Sequence, residues 1–337
     1  MVSPRTWRNL RRELRGSALA KIGIVLVLAI ILVAVFAPFL APYDPYQQDL
    51  GNSQVPPLGF STTENETRSE MVNGSIEVVE EEVTVNATLA HPLGTDALGR
   101  DMLSRTIYGA RTSLLVGVFG TMLAVLIGVT VGLTAGYYGG RVDDGLMRMS
   151  DIMLAFPSLV LAIALIGLFG GVTIRIPDPF VVLGLAPEMP PNIVLPGTVV
   201  LVVALVNWVW FARVARGEAL SLRNEEYVKA ARALGASDGS IVARHILPNS
   251  ITPILVLATI QVAAIILLES SLSYLGFSGA NLSWGLDIAQ GRDYLASAWW
   301  IASIPGVAIV FAVIGVNLVG DWLRDALDPG IEGEGGV

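Results

Sequence analysis

Apolar residues in this chain come in blocks rather than in alternation. Six stretches, at about residues 18–40, 114–137, 152–169, 197–214, 251–268 and 301–318, are built mostly of Leu, Ile, Val and Ala and carry few charges. A helix needs roughly 20 such residues to cross the hydrocarbon of a bilayer, and a helix satisfies its own backbone there. The pattern predicts an all-α polytopic membrane protein of about six transmembrane helices. Between the fourth and fifth blocks the pattern changes. In EEYVKAARALGASDGSIVARHILPNS (225–250), Tyr227, Ala230, Ala231 and Leu234 recur at i, i+3, i+4 and i+7, hence on one face of a helix. Glu225, Lys229 and Arg232 fall on the other side, the first two at the i,i+4 spacing of a supporting ion pair. Gly235 comes where a left-handed residue stops a helix, Ser237 or Asp238 can cap a second one, and Pro248 should end it. An exposed helix pair with a narrow alanine face suits a groove on another protein.

Composition narrows the function classes. A hydrophobic content of 53% and a mean hydropathy of +0.64 agree with a membrane protein. With no cysteine, disulfides and thiol chemistry are excluded. The two histidines, His91 and His245, stand far apart, so no metal centre is expected. Neither lysine, Lys21 or Lys229, follows a glycine, so there is no Gly-Lys phosphate-binding loop. The chain is expected to be no enzyme and to hold no cofactor. If ATP drives its function, a separate subunit must supply the site. Nothing points to nucleic acid.

Charge sets the expected orientation. With both termini on one side, 15 basic residues fall on that side and 6 on the other. The positive-inside rule then puts both termini and the loops 138–150 and 215–250 in the cytoplasm, with a cytoplasmic helix between transmembrane helices 4 and 5. The division is a basic N-terminus (1–17), a first span (18–40), an extracytoplasmic loop (41–113), a five-helix core (114–320) and a tail (321–337). Residues 61–90 carry seven glutamates and one arginine, and IEVVEEEVTV within them reads as a small exposed hairpin. Asn65, Asn73 and Asn86 stand in Asn-x-Ser/Thr sequons, candidate glycan acceptors; the plain alternative is an unmodified acidic loop.

Further residues carry the argument to a family. Lys229-Ala230-Ala231, Gly235 and Leu247-Pro248 resemble the EAA loop of ABC-importer permeases, with Lys229 in place of its glutamate and His245 in place of its isoleucine. HPLGTDALGRDMLSRTIYGARTSL, GYYGGRVDDGLMRMSDIMLAFPSL, SLSYLGF and NLVGDWLRDALDP are similar to the C-type permease of dipeptide, oligopeptide and nickel importers. The resemblance covers nearly everything except about 50–90, which reads as an insertion. It implies a multi-pass cell-membrane subunit that forms a translocation pathway with a second, homologous permease. It also implies two ATPase subunits that bind ATP and magnesium, and an extracytoplasmic solute-binding protein. The 217–250 loop would then couple to an ATPase subunit through Tyr227, Lys229, Ala230, Ala231, Leu234, Gly235, Leu247 and Pro248.

The remaining candidates are weighed against plainer roles. Glu269, near the end of the fifth block beside Ser270, Ser271 and Ser273, is either pathway-lining or a structural acceptor for hydroxyls. Asn207, Gln261 and Asn317 are pathway candidates too, although single amides commonly join helices. Asp96, Arg100, Asp101 and Arg105 either pair with one another or face the solute-binding protein. Pro305-Gly306 is expected to kink the sixth span. An ion-coupled secondary transporter is the rival function; it calls for several midplane carboxylates, and the spans offer one.

Overall fold

The computed structural model describes residues 11–72, 75–277 and 281–327, with backbone alone over 64–72 and 75–82. Among these residues five helices are long and apolar enough to cross a bilayer: α1 (Ala18–Val35), α2 (Met102–Tyr138), α5 (Gly197–Leu222), α7 (Asp238–Tyr274) and α9 (Trp300–Leu327). The pair α3 (Gly140–Ala155) and α4 (Ser158–Phe169) passes the same test taken together, bent by 98°. Two short helices, α6 (Glu226–Ala233) and α8 (Trp284–Gly291), lie at opposite ends of the bundle.

Several boundaries differ from the apolar blocks, each for a physical reason. Residues 102–113, expected in the extracytoplasmic loop, form the first turns of α2, capped by the Asp101 carboxylate, which accepts the Ser104 N–H at 2.7 Å. The third span is not one rod. Phe156, before Pro157, is held in extended backbone (ψ 138°), as the proline ring disfavours helical geometry there. The second helix of the 225–250 segment does not end at Pro248. It winds through a π-helical turn over Val242–Ile246, where the Leu247 N–H reaches back to the Val242 carbonyl, and continues into α7. Pro248 sits in the first turn after that change of register, where its missing N–H is accommodated. Pro305 lies inside α9, which is assigned as one continuous helix.

Two β-hairpins stand outside the helices. IEVVEEEVTV is not a hairpin by itself but most of one strand, β2 (Ser75–Asn86), which pairs antiparallel with β1 (Ser61–Val72), Ser61 opposite Asn86. Asn86 is exposed; Asn73 and the side chain of Asn65 lie outside the described residues. The proline-rich 170–196 connection, unassigned by pattern, holds β3 (Thr173–Pro177) paired with β4 (Asn192–Pro196).

Small residues hold the bundle together. Gly128, Gly132 and Gly136 recur every four residues on α2 and face the α5 backbone at Trp208, Ala212 and Arg216; a Cβ on Gly132 would lie 2.2 Å from the Ala212 carbonyl oxygen. In lipid, where burial gives helices little reason to associate, such close contact supplies the dispersion energy. Gly23 and Gly315 bring α1 against α9 in the same way. Arg111 of α2 then ties the end of α1 to the core: it donates to the Ala34 and Val35 carbonyls and at 2.5 Å to buried Asp178.

Candidate functional site

The 225–250 segment is seated on one end of the bundle. Glu225 precedes α6 in extended backbone, and its carbonyl receives the Lys229 N–H at 3.0 Å. The expected Glu225–Lys229 ion pair is not formed, because Glu225 is the N-cap rather than a helical residue. At the other end of α6 the Gly235 N–H bonds the Arg232 carbonyl and the Ala236 N–H bonds the Ala231 carbonyl. With φ +83° at Gly235 this is a Schellman motif, the stop that the position of the glycine predicts. Ala231 and Ala236, on either side of the turn, both pack on the core.

The four apolar residues expected on one docking face divide. Tyr227 (40% exposed), Ala230 and Leu234 (88% exposed) point away from the protein, whereas Ala231 is half-buried. The anchor is Val228, fully buried with Ile241 and Ile246 in the cluster that holds Tyr137, Phe211, Ala215 and Ala219. Leu247 packs on the same cluster, Pro248 is exposed, and the Tyr227 ring lies 6.3 Å from His245. A polar lock completes the seat. The Tyr137 hydroxyl donates to Asp238 at 2.5 Å and accepts from Arg232 at 3.2 Å, with the Arg232 guanidinium over its ring. α6 is therefore a rigid feature with an open face. Leu234 is an expensive residue to leave in water.

At the opposite end the charged candidates pair structurally. Asp96 accepts from Arg100 at 2.6 Å, Asp101 caps α2 and bonds His91 at 3.0 Å, and Arg105 pairs with Asp287 of α8. Asp96, Asp101, Arg105 and Asp287 are all buried. Burial pushes the Asp287 carboxyl above its usual range, against the pull of Arg105 and Arg100. Of the pathway candidates, Asn207 and Gln261 meet at 3.4 Å across α5 and α7. Glu269 is wholly buried and accepts from Ser113 at 3.0 Å and Ser273 at 2.6 Å, which makes it a tie between α2 and α7. Asn317 is apart from these, exposed on α9.

Residues 128–333 match the family model described as binding-protein-dependent transport system inner membrane component. The chain belongs to that family. Residues 5–57 match a second model, the N-terminal TM domain of oligopeptide transport permease C. The dipeptide transport system permease protein DppC of Alkalihalophilus pseudofirmus is 36% identical over 97% of this chain and 90% of its own length. The di/tripeptide transport system permease protein DppC of Pseudomonas aeruginosa is 34% identical over 91% and 86%. The oligopeptide transport system permease protein OppC of Bacillus subtilis is 34% identical over 96% and 89%. In fold the chain is similar to a chain of the MetNI methionine ABC transporter in an inward-facing conformation, with TM-score 0.50 and 17% identity, covering 67% of this chain and 98% of that one. It is thus a multi-pass inner-membrane permease subunit of a binding-protein-dependent transport system.

Sequence reasoning missed several residues that position this permease's features. Val228 broke the alanine pattern as the one β-branched residue of α6, a signal that a second apolar face existed. The Gly128, Gly132, Gly136 spacing was readable as a small-residue seam. Asp178, Asp287 and Tyr137 gave no local signal, because their partners Arg111, Arg105 and Asp238 are 67, 182 and 101 residues away.

Proposed function

We propose that this permease forms, with a second homologous permease, the translocation pathway of an ATP-driven importer of short peptides. In this reading α6 couples the pathway to an ATPase subunit. The observation that carries it is the open Tyr227, Ala230 and Leu234 face on a helix locked to the bundle through Val228, Tyr137 and the Gly235 motif. A rigid seat transmits force, and an apolar open face needs a groove to cover it. The peptide substrate is supported by the relatives named for dipeptide, di/tripeptide and oligopeptide transport.

The α6 end faces the cytoplasm in this proposal, a placement that the distribution of basic residues supports. Two ATPase subunits bind ATP and magnesium, and a solute-binding protein delivers peptide to the other end. Closure of the ATPases shifts α6, and because α6 is joined to the head of α7 by the short turn at Gly235 and packed on it through Val228, Ile241 and Ile246, the movement reaches the far end of the bundle as a rigid-body switch between inward- and outward-facing states. Glu269 serves as a tie that moves with α7, and exposed Asn317 has the stronger claim to the pathway or to the second permease.

Proteoliposomes holding the permeases and ATPases, supplied with the solute-binding protein, test this. Uptake of a labelled dipeptide should require ATP and persist when an ionophore collapses the ion gradients. Uptake that follows the ion gradient with ATP held constant sinks the proposal in favour of an ion-coupled transporter.

A further inference from the structure

The end of the bundle away from α6 carries an open cavity of about 380 Å³, lined by Asp44, Tyr46, Arg175, Asn192, Asn281 and two prolines. The segment after α1, the β3–β4 hairpin with the prolines before β4, and Asn281 build its walls. A neighbouring cavity of about 260 Å³ shares Arg175 and Asn281 and opens to Ile166 of α4, Val199 of α5 and Phe277 just after α7. On the other side a space of about 20 Å³, shared through Tyr46 and Asn192, leads down to Tyr108. Together they form a vestibule over the ends of α4, α5 and α7. Its size lies in the range of small-ligand sites.

Its chemistry is bipolar. Arg175 is exposed and Asp44 half-buried, and among the described residues neither forms an ion pair with the other or with any further group. The other arginines at this end of α2, Arg100, Arg105 and Arg111, all have carboxylate partners. One Asp44 oxygen accepts the Tyr46 N–H at 2.8 Å, which fixes the carboxylate in place. At the floor the Tyr108 hydroxyl is buried, the side chain 7% exposed, and has no hydrogen-bond partner among the described residues. Such a group is costly unless something else completes it. An unpaired cation and a fixed anion in one vestibule match a molecule that carries both a carboxylate and an ammonium.

We propose that this vestibule receives a short zwitterionic peptide at the mouth of the pathway, Arg175 holding its carboxylate and Asp44 its ammonium, and so adds a check on free termini. The proposal rests on the peptide reading above. The test uses the purified transporter complex in lipid nanodiscs without solute-binding protein. Binding of alanyl-alanine, its N-acetyl form and its C-terminal amide is measured by saturation-transfer NMR. Wild type should prefer the free dipeptide. Arg175→Gln should weaken the free dipeptide about tenfold, as expected for loss of one charge-assisted contact, and leave the amide unchanged. Asp44→Asn should do the same with the N-acetyl form unchanged. Equal binding of all three probes to wild type, or equal weakening of all three by either variant, overturns the site. The same complex with its solute-binding protein is assayed for alanyl-alanine uptake. ATP-driven uptake alongside indifferent probe binding rejects only the vestibule, whereas absence of peptide uptake rejects the peptide reading too.

Discussion

At Gly235 the backbone is left-handed, and a Cβ there would meet nothing within 4 Å. The demand on this position is conformational and not steric, so Gly235→Ala should cost about 1–2 kcal/mol of local stability, and the β-branched Gly235→Val more. Both should insert normally, and Gly235→Val should lower the number of peptides imported per ATP hydrolysed. An unchanged transport ratio at normal expression counts against the role given to this turn. Arg111 is the opposite kind of residue, held by contacts. Arg111→Ala leaves Asp178 as a buried carboxylate without its counter-charge, held only by the Phe180 N–H, a loss of about 3–5 kcal/mol, which should lower the thermal midpoint of the detergent-purified permease; Arg111→Lys should recover only part of it, lacking the fork that reaches Asp178 and two carbonyls at once. Gly235 was legible because a helix stop is a local event. Asp178 was not, since a charge pair across 67 positions leaves no periodic trace.

Elements were legible where hydrophobicity sets them and illegible where backbone chemistry interrupts. Every apolar block became membrane-length helix except the third, which Pro157 divides into α3 and a 12-residue α4 about 18 Å long. The segment 225–250 was expected as a helical hairpin closed by Pro248. It is instead a short helix and the head of α7, because the π-turn over Val242–Ile246 absorbs the proline. That difference matters for function: a separate hairpin would flex against the bundle, while a continuous helix carries displacement along its length. Association of α2 with α5 depends on Gly132, whose Cβ position lies against the Ala212 backbone. Gly132→Leu should force the two helices apart and yield a protease-sensitive permease that fails to assemble, visible as lost full-length protein after limited proteolysis of membranes. Survival at wild-type levels contradicts the seam.

Across the whole molecule, the two ends of the bundle have different designs. One presents an apolar face on a locked helix; the other presents buried ion pairs, two β-hairpins and an open, charged vestibule. The family and the fold class were readable from motif and hydropathy. The hairpin walls of the vestibule were not, because proline-rich segments such as 170–196 carry no strong strand period. The central claim is that α6 is the part of this chain that an ATPase subunit grips. The chain has no cysteine, so a single Leu234→Cys is a unique probe, with Leu89→Cys, equally exposed at the opposite end, as its control. The most direct measurement is site-specific cross-linking of these two variants within the assembled transporter. The account predicts that a short thiol cross-linker joins position 234 to an ATPase subunit, with an extent that changes on adding ATP, and leaves position 89 unjoined to it. Cross-linking of position 234 no greater than that of position 89, or insensitive to ATP, would contradict it.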